Sequence, residues 1–215
     1  IIQLLEADLN AVLGCVFGSR MVRFAATYCG INKSQFGRPG TLCQSAVINK
    51  VLSFEISRLL KKDPAAMEVD AEGCYDRMVP ELVVIACRRL GMPPAPGWML
   101  IDCLNEMQHC VQTQLGTSTE EYRSTLAEQL FGTGQGSGGS PAFWLATSET
   151  ILNTMDDNTA GYSVTGPDGR ITSSRNEDKF INDASLMTNW RGRVEPVAQL
   201  RHNSQLHERL LYSTG

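Results

Sequence analysis

Phe180-Ile181-Asn182-Asp183-Ala184-Ser185-Leu186 reads as a tight turn: two apolar residues, two polar turn formers, then a short return. Asn and Asp tolerate the positive φ that two-residue hairpin loops need. The stretch therefore predicts two antiparallel strands, with Asn182-Asp183 at the turn and Asp183 at its tip. A second hairpin turn is marked upstream by Gly166-Pro167-Asp168-Gly169. Downstream, residues 194 to 212 read as a closing helix.

Working outward, Ala65-Ala66-Met67-Glu68-Val69-Asp70 reads as a short strand ending on an acid. Leu9, Leu13, Val16, Phe17, Met21 and Phe24 are spaced for an amphipathic helix over residues 9 to 26. Ile48, Leu52, Ile56 and Leu59 predict another over 43 to 60, after a Gly- and Pro-rich loop at 30 to 41. Pro80 opens a helix to about Leu90, and residues 97 to 108 suggest the next. His109–Gln114 and Glu121–Ser124 are expected to pair as a hairpin across residues 116 to 119. Ser140-Pro141 predicts a helix start, Ser as cap and Pro at the first helical position, running to about Met155. Strands and helices mix without strict alternation, which makes the fold class α+β.

The 215 residues are 42% hydrophobic, enough for one globular domain or one with a small appendage. No run of about 18 apolar residues exists, so no membrane span is expected. The chain opens on Ile1 without an initiator Met or a signal pattern and stops at Gly215, which suggests a piece of a larger protein. Seven scattered cysteines without a C-x-x-C argue against zinc and against a disulfide framework. They read as buried free thiols in a reducing, intracellular setting. Net charge is −4, which argues against a dedicated nucleic-acid coat. Arg20, Arg23, Lys33 and Arg38 nevertheless make residues 20 to 38 locally basic, and Lys61-Lys62 form a second small cluster. His109, His202 and His207 show no metal-like pairing and read as structural or surface residues. Trp98, Trp144 and Trp190 read as core.

Three segments carry potential chemistry, and each has a plain alternative. In Asp70-Ala71-Glu72-Gly73-Cys74-Tyr75-Asp76, an acid ends a buried strand, where it needs pairing, hydrogen bonds or a metal. The plain alternative is an Asp capping the next turn. In Gly132-Thr133-Gly134-Gln135-Gly136-Ser137-Gly138-Gly139-Ser140-Pro141, dense glycine lets backbone approach a ligand closely. Gly134, Gly136 and Gly139 also match the spacing of a dinucleotide-binding loop, which requires a strand before it and a parallel sheet. The plain alternative is a flexible loop before a helix. The third segment is the hairpin, for which a turn alone explains both Asn182 and Asp183.

In this order the three segments resemble the palm of reverse transcriptases. Asp70, Cys74, Tyr75 and Asp76 match the first motif of that family. Gln135-Gly136 and Ser140-Pro141 match the second with its spacing, and Phe180-Ile181-Asn182-Asp183 matches the aromatic-x-Asp-Asp hairpin except at Asn182. Ile2 to Asn10 resembles the end of the fingers motif. Gln35-Phe36-Gly37-Arg38-Pro39-Gly40 resembles the Q-x-G-F-R-P-G segment of non-LTR retroelement and group II intron enzymes, one residue short. The resemblance implies a right-hand polymerase palm with an antiparallel sheet on helices, partial fingers and no thumb. Residues 1–62 would be partial fingers and connecting helices, and 63–215 the palm. It implies a template-directed nucleotidyl transfer to a primer 3′-hydroxyl with two Mg²⁺ ions, or Mn²⁺ in their place, held by Asp70 and Asp183. Tyr75, Gln135 and Gly136 would meet the nucleotide. The partners would be an RNA or DNA template with its primer, deoxynucleoside triphosphates, and the remaining fingers and thumb. An RNA-directed RNA polymerase shares this logic, but Tyr75 and the Gln-Gly…Ser-Pro loop favour the DNA-making enzyme. Asn182 replaces a principal metal ligand, so weak or absent catalysis is expected. A non-catalytic palm that binds nucleic acid or protein, and a dinucleotide-binding domain, are the alternatives.

Overall fold

A computed structural model describes residues 7–125, 131–166, 168–169, 172–181, 183–190 and 194–214. Helices and small antiparallel sheets are mixed, an α+β arrangement. The chain enters as α1 (Ala7–Leu13) and continues through a π-helical stretch, Gly14–Met21, the short α2 (Val22–Phe24) and a second π-helical stretch, Ala25–Cys29. Gly30, at φ 71, closes this run. A loop leads to α3 (Cys43–Leu59) and then to β1 (Asp63–Asp70). After β1 come α4 (Cys74–Arg77), α5 (Pro80–Arg89) and α6 (Pro94–Glu106). Proline stands in the first turn of α5, of α6 and of α7 (Ser140–Asn158), where its missing N–H costs nothing.

The principal sheet has the order β1-β9-β8, with β8 at Glu177–Phe180 and β9 at Asp183–Trp190. All of its pairings are antiparallel, and β1 runs in register from Asp63 opposite Trp190 to Asp70 opposite Asp183. α7 and α8 (Val194–Thr214) cover one face, and α3 covers part of the other. A separate hairpin, β6 (Tyr162–Thr165) with β7 (Thr172–Arg175), is tied to β9 where Asn189 Oδ1 accepts from the Ser163 N–H. Its turn, at residues 166 to 169, lies only partly within the described residues.

α7 is the hub. It is buried almost all round because its run Ala142-Phe143-Trp144-Leu145-Ala146 is apolar on every side. Phe143 meets Phe17 of the first π-helical stretch, ring centroids 4.9 Å apart, within the larger core cluster. Farther along, Ile151 and Met155 pack with Leu186 of β9, and with Leu200, Leu206 and Leu210 of α8.

Several expectations are corrected. Ser140 does not cap α7: Gly139 does, and the Ser140 hydroxyl turns back to the Thr133 and Gly134 carbonyls. The hairpin between α6 and α7 is two nested pairs. β2 (Gln108–His109) pairs with β5 (Tyr122–Arg123), and β3 (Gln112–Thr113) with β4 (Gly116–Thr117), so the turn falls at Gln114-Leu115 rather than at 116 to 119. Of the cysteines, all free, only Cys87 is buried. Trp98 and Trp190 are exposed, and only Trp144 belongs to the core. Among the described residues, no helix is long and apolar enough to cross a membrane.

Candidate functional site

Asp70 and Asp183 end and begin adjacent strands and stand directly opposite one another. Residues paired across an antiparallel ladder point to the same face, and both line one cleft of about 310 Å³. Glu68, Ser185, Asp178 and Lys50 line it too. Glu68 is tied down there by Lys50 Nζ at 2.9 Å and by the Ser185 hydroxyl. Asp70 also reaches a second cavity of about 260 Å³, walled by Trp144, Met78, Leu211 and Tyr212.

The hairpin differs in detail from its expected form. Phe180 and Asp183 close the ladder, so Asp183 is the first residue of β9 rather than the tip. Ile181 holds the left-handed conformation, φ 55, that hairpin loops require. A β-branched residue there is strained, and its surroundings compensate. The Trp144 indole N–H donates to the Ile181 carbonyl at 2.6 Å. Asn182 itself lies outside the described residues.

The glycine loop is built onto the turn that follows Asp70. The Thr133 N–H donates to the Tyr75 carbonyl and the Gly132 N–H to the Met78 carbonyl, each at 2.8 Å. A side chain on Gly132, at φ +96, would meet the Tyr75 carbonyl at 2.7 Å, which explains that glycine. On its far side the loop meets the first helical run: Gly138 donates its N–H to the Asn10 side chain, and the Gly18 Cβ position lies 2.9 Å from the Gly138 carbonyl. Ser140, fully buried, clamps the loop from inside. Gln135 and Gly136 are left exposed at its crest, Gly136 at φ 116.

Tyr75 lies on α4, half-buried against the larger core cluster, and burial pushes its phenol pKa up. Burial likewise pushes the neighbouring Cys74 thiol up to about 11, which keeps it neutral. The segment resembling Q-x-G-F-R-P-G lies along β8. Lys179 donates its N–H to the Ser34 carbonyl and accepts the Phe36 N–H, at 2.8 and 2.7 Å. This backbone link brings Gly37 within 3.2 Å of the Ile181 nitrogen, measured from a built Cβ.

The structure therefore sets Asp70 and Asp183 opposite one another at one end of the sheet and ties the glycine loop to the turn that follows Asp70. It does not produce a cluster of three or more metal-ligating side chains among the described residues. Two carboxylates still suit Mg²⁺, which is usually held by one or two carboxylates and completed by substrate phosphates and water. The dinucleotide-binding alternative calls for a parallel sheet, whereas the described sheets are antiparallel and the glycine loop is hydrogen-bonded to the end of α4 and to α1.

Sequence reasoning missed the charges beside the hairpin. Glu177, Lys179 and His207 are all buried together, and Asp178 is buried on the opposite face with Arg175. A polar run such as Glu-Asp-Lys looks solvated. The available signal was the period-2 alternation, which puts Glu177 and Lys179 on the face of Ala184 and Leu186.

The chain matches no known family model and no curated protein.

Proposed function

We propose that the chain is a reverse-transcriptase-type palm, a template-directed nucleotidyl transferase weakened by Asn182. The observation that carries this reading is the register of β1 on β9, which sets Asp70 opposite Asp183. The order of the three motifs in the sequence supports it independently.

Divalent ions in such a site offset phosphate charge and stabilise the attacking and leaving oxygens. The chain's own contribution is positional. Asp70 and Asp183 present carboxylate oxygens from two rigidly paired strands. Tyr75, held by its carbonyl to Thr133, would lie beneath the incoming sugar and disfavour a 2′-hydroxyl. Gly136 would admit backbone close to the nucleotide or template, with Gln135 beside it. Asn182 keeps a carbonyl oxygen but loses a negative charge, so ion binding is weaker and less well placed. A displacement near 1 Å costs about a hundredfold in rate.

Asn182→Asp should therefore raise primer extension by about ten- to a hundredfold in a protein that also carries fingers and thumb. The measurement is a paired assay on RNA and DNA templates with deoxynucleotides. An unchanged rate sinks the claim that Asn182 limits the chemistry. Asn182 also favours a second reading, a palm that binds nucleic acid without catalysis. It predicts salt-steep duplex binding and no incorporation by either variant.

A further inference from the structure

We propose that His207 is a positioning residue for the Asp183 hairpin, acting from α8 through Glu177, Lys179 and Trp144. The functional half of this inference rests on the metal-site reading above; the structural half does not.

β8 turns Glu177 and Lys179 toward the face covered by α7 and α8, and both side chains are sealed from solvent. Lys179 Nζ lies 3.4 Å from Glu177 Oε1, and His207 Nε2 lies 3.1 Å from the same oxygen. Lys179 Nζ also stands 5.8 Å from the centroid of the Trp144 ring, in cation–π range. The Trp144 N–H then holds the Ile181 carbonyl, at the strained turn residue two positions before Asp183. One continuous set of contacts thus runs from α8 through β8 and α7 to the hairpin loop.

Stability alone does not account for it. Well-packed apolar groups in place of buried ionic ones are often neutral or stabilising. Neither Glu177 oxygen, nor Lys179 Nζ, nor His207 Nε2 has a well-aligned hydrogen bond among the described residues. What these polar contacts add is direction, since each fixes where the next side chain must lie. Lys179 is also the residue whose backbone ties Ser34 and Phe36 to β8. A shift of α8 at His207 therefore reaches both the turn and the Gln35 segment.

The test uses the full chain with two readouts. The Trp144 indole N–H resonance, identified by its loss in Trp144→Phe, reads the Ile181 and Lys179 contacts of that ring without reference to any metal. Mn²⁺ affinity reads the Asp70–Asp183 site. His207→Phe should move the indole resonance and weaken Mn²⁺ binding, by no more than the roughly tenfold that loss of a partner bonded directly to a ligand costs. His207→Gln, which keeps a polar N–H group facing Glu177, should restore most of both. Asp183→Asn should abolish Mn²⁺ binding and leave the indole unmoved. A folded His207→Phe with the parent's resonance and affinity overturns the proposal. Should that variant not fold, Trp144→Phe decides, because it keeps a buried ring and loses the N–H: unchanged Mn²⁺ affinity there overturns the proposal as well. A parent chain that binds no Mn²⁺ removes the metal-site reading, and the indole response to His207→Gln and His207→Phe then decides the coupling alone.

Discussion

Asp178 holds a carboxyl that burial pushes up to about 6, although Arg175 Nη1 stands 3.2 Å away and opposes the shift. In the unfolded chain the same group sits near 3.8. The folded state thus binds the proton more tightly, and the favourable contribution is complete below pH 3.8 and lost as pH rises through about 6. Above that, an ionised Asp178 is a net cost. Asp178→Asn should therefore gain stability relative to the parent as pH rises from 4 to 7, by about 2–3 kcal/mol at most. Urea unfolding at a series of pH values checks it, and a pH-independent difference contradicts it. Arg175 keeps the Asn49 carbonyl and the Ser53 hydroxyl as partners in that variant. At this scale the sequence was informative where spacing carried the information. Asp70 and Asp183 were legible because a strand end and a hairpin each have local signatures. Strand alternation places Lys179 on the face of Leu186, but that this face is sealed, and that His207 arrives there, depends on helices from elsewhere in the chain.

Element by element, α3 shows the limit of periodicity most clearly. Ile48, Leu52, Ile56 and Leu59 do lie on a helix, as their spacing predicts, yet all four are exposed. The residues that α3 buries are Ser53 and Ser57. Its neighbours there are polar: Arg175 reaches Ser53, and the Asn189 amide donates to Ser57 at 3.3 Å. Apolar spacing fixes the period of an element, whereas the partner decides which side is inside. Ser57→Leu should therefore cost about 2–3 kcal/mol by overfilling the contact and removing one of the two acceptors of the Asn189 amide, which keeps the Ser163 carbonyl. Ile48→Gln on the opposite side should stay within about 0.5 kcal/mol. Chemical denaturation of both variants measures the contrast, and the reverse ranking contradicts this packing. The hairpin loop makes the same point on a smaller scale. Its existence was readable from Asn-Asp, but its centre moved one residue back because Phe180 and Asp183 close the ladder.

Across the whole molecule, the sheet draws on segments far apart in the chain, and α8 seals one face of it. Thr188 of β9 donates its hydroxyl to the Pro196 carbonyl, while Leu200, Leu206 and Leu210 pack against the Ile151, Met155 and Leu186 cluster. A chain ending at Trp190 should accordingly lose its cooperative unfolding transition, visible as a broadened melt by circular dichroism. A sharp transition in that shortened chain contradicts the role given to α8. The sequence made the α+β class readable through its mixed strand and helix signals, but not which strands would be neighbours. The register of β1 on β9 has a consequence for the order of events during synthesis. Asp70 leaves the ribosome 120 residues before Trp190, about 6–24 s at ordinary translation rates. For most of that interval β1 has no β9 to pair with, and the Gln35 segment has no Lys179. The nascent chain therefore carries an unpaired strand, which invites aggregation or chaperone capture. The site is assembled late, when β8 and β9 emerge as a unit.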